Sequence, residues 1–137
     1  NWEIPVVIHG YERRMPQMMQ AASLLVTKAG PGTITEALNA GLPMILYSRI
    51  PGQEDGNVNY VVDQGVGAWA PGPQATSAAV CSWLATPERI ERAAGRCREI
   101  ARPHAAREIA GVLISHVSNG RAGANGAMPY PGPYSTA

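Results

Sequence analysis

The chain has 137 residues, 45% of them apolar, and its eleven basic and ten acidic side chains leave a net charge of +1. That length and composition fit one domain with a core of its own, and the near-neutral balance excludes wholesale binding of nucleic-acid phosphate, which needs a concentrated basic face. The two cysteines, Cys81 and Cys97, show neither CxxC nor Cys/His metal spacing, so a zinc centre and a disulfide-stapled scaffold are not expected, and both read as buried free thiols in a reducing compartment.

The opening Asn1-Trp2-Glu3 has no initiator methionine and no basic and apolar leader, so it reads as a truncation, and any targeting segment is expected upstream. Val6-Val7-Ile8-His9, Leu24-Leu25-Val26-Thr27 and Met44-Ile45-Leu46-Tyr47 are short apolar runs that predict strands buried on both faces of a parallel sheet. Met15, Met18, Met19 and Ala22 fall at helical spacing in the first gap, and Ile34, Ala37 and Leu38 do so in the second. Val58, Val61 and Val62 predict a short helix ending at Gly65, followed by a fourth strand over Gly67-Ala68-Trp69-Ala70.

After Pro71-Gly72-Pro73 the pattern is helical throughout, with Ala79, Val80, Trp83 and Leu84 in one helix and Ile90, Ala93, Ala94, Cys97 and Ile100 in the next. A last helix carries Ala106, Ile109, Ala110, Leu113 and Val117, and Pro87 and Pro103 suit the first turns of two of these helices. Residues 1–117 are expected to form one α/β domain of Rossmann-like kind, with C-terminal helices, and the Gly- and Pro-rich stretch 118–137 a disordered tail. No run of about eighteen apolar residues predicts a membrane-spanning helix.

In a parallel sheet of this kind ligands bind beyond the carboxyl ends of the strands, where three strand-to-helix connections converge. The most informative is Thr27-Lys28-Ala29-Gly30-Pro31-Gly32-Thr33-Ile34-Thr35-Glu36. Its glycines allow close backbone approach, and the amides and dipole of the following helix favour an anion. It is neither a Walker loop nor a dinucleotide fingerprint, because threonine stands at position 35 where GxGxxG needs glycine. Spacing alone also admits a Thr33/Glu36 capping box. The connection Arg49 to Asn57 gathers Gln53, Glu54 and Asp55, which suits sugar hydroxyls or an ordinary acidic helix start. His9 to Met15 offers Tyr11 as a platform for a flat base and Arg13 and Arg14 for phosphate or an anionic lipid surface.

The dispersed matches Lys28-Ala29-Gly30-Pro31-Gly32-Thr33, Glu36-Ala37, Gly41-Leu42-Pro43, Gly52-Gln53-Glu54, Gly56-Asn57 and Tyr60-Val61-Val62 resemble the C-terminal domain of the monogalactosyldiacylglycerol synthases, within the GT-B glycosyltransferases of family 28. More distantly they are similar to the glycosyltransferase of bacterial lipid II synthesis. The likeness runs from about Val6 to Val117. It implies a two-domain enzyme in which this half holds UDP-galactose and the other half holds diacylglycerol, at the surface of the plastid envelope membrane.

Carried over by position, the resemblance gives Gly30, Pro31, Gly32 and Thr33 to the diphosphate, with Met15 near it, and Glu36 to the ribose. Tyr11 and Glu12 would frame the uracil, and Gln53 and Glu54 would contact galactose. The reaction it implies inverts the anomeric centre with a base from the N-terminal half, so no catalytic residue is expected here and the fragment alone is expected to bind donor without turnover. No metal and no cofactor are implied, and no Asp-x-Asp motif is present. A non-catalytic UDP-sugar-binding subunit of a split glycosyltransferase, and a glucosyl- or N-acetylglucosaminyl-transferase on another lipid, are the alternatives.

Overall fold

The computed structural model describes residues 4–120. Its elements in chain order are α1 (Met15–Ala21), β1 (Leu25–Lys28), α2 (Pro31–Ala40), β2 (Met44–Ser48), α3 (Asp55–Asp63), β3 (Gly67–Trp69), α4 (Pro73–Leu84), α5 (Pro87–Ile100) and α6 (Ala105–Gly120). The three strands form one parallel sheet in the order β1-β2-β3. The α/β class with alternating strands and helices is therefore as expected from the apolar runs.

Packing follows the two-residue period of the central strand. Met44 and Leu46 point into a cluster with Ile34, Ala37, Leu38, Val58, Val61 and Cys97, while Ile45 points the other way, to Ala70, Trp83 and Ala93. Burying these three residues of β2, each with no exposed surface, contributes about 1.5–3 kcal/mol per side chain. Only β2 is covered on both faces as the sequence suggested; β1 alternates between half-buried and exposed residues because it lies at the edge of the sheet.

Local signals place the helix ends. Pro31, Pro73 and Pro87 occupy the first turns of α2, α4 and α5, where the missing N–H of proline costs nothing. Gly41 closes α2 in the left-handed region at φ 69°, which lets Leu42 donate its N–H back to the Ala37 carbonyl. Gly65, at φ 67°, turns the chain out of α3 as expected.

Several expectations are corrected. Val6 to His9 forms no strand, and Val6, Val7 and Ile8 are 50%, 76% and 92% exposed. A β-branched run becomes a strand only when a neighbour completes its hydrogen bonds, and β1, β2 and β3 pair only with one another. Cys97 is buried, and burial pushes its thiol up to about 11, but Cys81 is exposed. The packed side of α4 is Ala79, Val80 and Trp83, and helical spacing puts residue 81 opposite. Pro103 lies in a turn before Ala105 rather than inside the helix.

Residues from Pro103 onward form a separate unit. Its helix α6 runs to Gly120 and so takes in the first three residues of the expected tail, and Ile109, Val112, Leu113, Ile114 and Val117 are exposed along it. The disorder expected further along the tail falls on residues 121–137, outside the described residues.

Candidate functional site

The site begins where the register of the sheet changes. β1 pairs with β2 regularly from Leu25 to Thr27, then shifts between Thr27 and Lys28, and Ala29 donates its N–H to the Ser48 carbonyl at 2.8 Å. Such an irregularity at a strand end re-aims the chain. Here it delivers Gly30 as the N-cap of α2, and no side chain caps that helix. Thr33 is the third residue of the helix and not its cap, so the Thr33/Glu36 capping box is not formed. Pro31 has no N–H, Ile34 is the first residue to donate back to Gly30, and the amides of Gly32 and Thr33 lie in the first turn, where a helix has no internal acceptor. A Cβ built on Gly32 meets nothing within 4 Å, so the approach to those amides is open.

The second connection folds onto the first. Glu54 is 2% exposed, and both oxygens of its carboxylate are engaged: one accepts from Lys28 Nζ at 2.6 Å and the other from the Ile50 N–H at 2.8 Å. The Lys28 ammonium, followed by the Ile50 N–H, holds this carboxyl below the usual carboxylate range. Asn57 Nδ2 donates to the Ala29 carbonyl at 2.9 Å, a second tie between the two loops. Asp55 accepts from the Gly52 N–H at 2.9 Å and from Arg49, and these two bonds, the backbone one first, keep its carboxyl low. Gly52 makes this turn at φ 79°, a conformation that costs side-chain-bearing residues energy. Gln53 is left exposed at the tip.

The remaining expected residues lie on the N-terminal segment and on α2. Glu36 is exposed and lines a hollow of about 220 Å³ with Pro16, Met19 and Gln20 of the α1 region. Met15 begins α1 and is partly exposed, and Tyr11 is 94% exposed. The Glu12 carboxylate accepts from the side chain and backbone N–H of Arg14, at 3.2 and 2.8 Å, with His9 Nδ1 at 3.6 Å, and Arg14 chiefly lowers its pKa. The structure thus ties the strand end that leads into Gly30 to the loop that carries Gln53 and Glu54, through Lys28–Glu54 and Asn57–Ala29, and sets Glu36 beside α1, while Tyr11 is left exposed.

Lys28, Asn57 and Arg49 were not singled out from the sequence. The cue for Lys28 was available, since it is the chain's only lysine and lies at the strand end before the glycines. Its pairing with Glu54 spans 26 residues, and no local pattern encodes that. Among the described residues no group of three or more His, Cys, Asp or Glu is placed to hold a metal ion, and no helix is long and apolar enough to cross a membrane.

An open parallel α/β sheet whose strand-end loops present a free helix N-terminus is the architecture of nucleotide- and anion-binding domains. Residues 1–78 match the glycosyltransferase family 28 C-terminal domain, and the chain belongs to that family. It is 43% identical over 110 residues to monogalactosyldiacylglycerol synthase 2, chloroplastic, of Arabidopsis thaliana, a match that covers 80% of this chain and 24% of that protein. A probable monogalactosyldiacylglycerol synthase 2, chloroplastic, of Oryza sativa subsp. indica is 44% identical with the same coverage. Among solved structures, the glycotransferase of kitacinnamycin superposes with a TM-score of 0.58 at 28% identity, covering 74% of this chain and 27% of that one. The chain spans about a quarter of the length of the curated relatives it matches.

Proposed function

We propose that this chain forms the UDP-galactose-binding half of a hexosyltransferase that transfers galactose to diacylglycerol in galactolipid synthesis. The observation that carries the reading is the uncapped N-terminus of α2, open at Gly32 and tied through Lys28 and Glu54 to the Gln53 loop, in a chain 43% identical to one of the synthases. The Gly30-Pro31-Gly32-Thr33 turn takes the diphosphate on its amides, with Met15 beside it, Glu36 takes the ribose hydroxyls, and Tyr11 and Glu12 frame the uracil. Gln53 contacts the sugar with a free amide. A carboxylate offers about four acceptor sites, and Lys28 and Ile50 use two on Glu54, so this side chain retains capacity for a sugar hydroxyl.

Chemically, the first turn of α2 serves the leaving group. As the bond from the anomeric carbon to the diphosphate breaks, negative charge grows on the phosphate oxygens, and amides already fixed toward them stabilise that charge without reorganisation. Lys28 adds a positive charge at the same strand end. The base that activates the acceptor hydroxyl, and the diacylglycerol itself, are assigned to the part of the relatives' length that this chain does not span. By the same likeness we place the protein in the plastid, as a peripheral protein of the envelope membrane.

Calorimetric titration with UDP, UDP-galactose, UDP-glucose and UDP-N-acetylglucosamine tests the proposal. UDP binding that UDP-galactose alone matches or improves on is the expected result. Preference for another sugar would move the donor assignment, and a folded chain that binds none of the four would overturn the donor-site reading.

A further inference from the structure

On the far edge of the sheet, away from the β1–α2 turn, a groove of about 660 Å³ runs between β3 and α5. Its wall on α5 is Arg89, Arg92 and Arg96, and the opposite side includes Trp69 and Gln64. Spacings of three and four residues put the three guanidinium groups on one face of the helix along about 10 Å of its length. None of the residues lining the groove is acidic.

The three arginines are not equally occupied. Arg96 donates to Glu99 at 2.7 Å and to Gln64 Oε1 at 2.8 Å. Arg89 lies over the ring of buried Trp83, with its guanidinium carbon 4.3 Å from the ring centroid. That stacking fixes the plane of the guanidinium group while leaving its N–H edges free. Among the described residues no carboxylate lies within ion-pair distance of Arg89 or Arg92. Two unpaired guanidinium groups, one held flat, beside a third anchored by Gln64, match the oxygens of a tetrahedral anion, for which arginine's fork is suited.

We propose that the β3–α5 groove is a second anion site, separate from the donor site, and that it binds a phosphate group. A soluble phosphate and the phosphate of a lipid headgroup present the same oxygens, and the experiment distinguishes the two sources. The full chain, saturated with UDP, is titrated with inorganic phosphate by calorimetry and, in parallel, sedimented with phosphatidylcholine vesicles with and without phosphatidic acid. Arg92 is exposed and makes no side-chain hydrogen bond or ion pair among the described residues, so Arg92→Gln is the test variant, with its melting temperature and UDP affinity measured as controls.

Saturable binding in either arm that weakens at least about tenfold in Arg92→Gln, with the controls unchanged, supports the site; which arm responds names the source of the phosphate. Absence of binding in both arms, or wild-type binding by a folded Arg92→Gln variant, overturns it.

Discussion

The loops that close β1 and β2 are tied to each other by the Lys28–Glu54 ion pair and the Asn57–Ala29 hydrogen bond, whereas the side-chain contacts of the segment from Ile4 to Arg14, among the described residues, are the local ones of Glu12 with Arg14 and His9. Both stretches carry residues proposed to face the nucleotide. The first is fixed before any ligand arrives, so its amides lose little freedom on binding. The second carries exposed side chains whose ordering by a ligand costs roughly 0.5–1.5 kcal/mol apiece. The first should therefore contribute more affinity than the second, and substitutions in the two stretches should separate along that line.

The largest effect is expected at Glu36. It is exposed and has no hydrogen-bond partner of its own among the described residues, so Glu36→Ala should leave thermal stability unchanged. If the carboxylate holds the ribose, UDP binding should fall by about 1.5–3 kcal/mol, the range for a hydrogen bond to a charged group. Wild-type UDP affinity in the folded variant would remove Glu36 from the site. Gly32→Val should act next in size, weakening UDP by about tenfold through obstruction of the first-turn amides. Because a Cβ at Gly32 meets nothing within 4 Å, the expected loss is larger in binding than in melting temperature, and a variant that melts early yet binds normally would contradict the phosphate assignment.

A smaller effect, on stability rather than binding, follows from the tie between the loops. The folded pKa of Glu54 is below its unfolded value, chiefly because of Lys28 and then the Ile50 N–H. Its contribution is thus fully present above the unfolded carboxylate pKa of about 4.3 and is lost as pH falls through the lower folded value. Glu12 and Asp55 are shifted in the same direction and add to the acid loss. Urea denaturation of the wild type and Glu54→Gln across pH 3 to 7 checks this: the variant should be less stable near neutrality and should lose less on acidification. Parallel pH profiles for the two proteins would show that the pair contributes nothing.

The same contrast explains what was legible from residues alone. β2 announced itself because it is buried on both faces, so its apolar run needs no partner-specific information. The β1–α2 turn was readable because glycine, proline and helix-start chemistry are local. Val6 to His9 is richer in β-branched residues than β2, but a strand is a property of a pair, and the hydrogen-bonding neighbour is not written in the segment. Cys81 illustrates a finer limit: a small apolar residue in a helix is placed by its phase relative to Val80 and Trp83, and composition carries no phase. Lys28 with Glu54 was missed for the opposite reason, since each has a sufficient local explanation and their contact spans the interval between two strands.

Tyr11 gives the smallest and most discriminating effect. At 94% exposure its ring contributes no packing to the folded chain, so Tyr11→Ala should leave the melting temperature where it is. If the ring covers the uracil, UDP affinity should fall about tenfold or less, because stacking on an exposed platform is worth roughly 1 kcal/mol, and Tyr11→Phe should restore it. Comparison with pyrophosphate isolates the cause: that ligand has no base, so its affinity should be the same for wild type and Tyr11→Ala, whereas Gly32→Val should weaken both ligands. If Tyr11→Ala lost pyrophosphate as well, the Ile4–Arg14 segment would be acting on the phosphate turn and not on the base. If Tyr11→Ala lost neither ligand, Tyr11 would have no part in UDP recognition, which would rest on Glu36 and on the loops that Lys28 and Glu54 hold together.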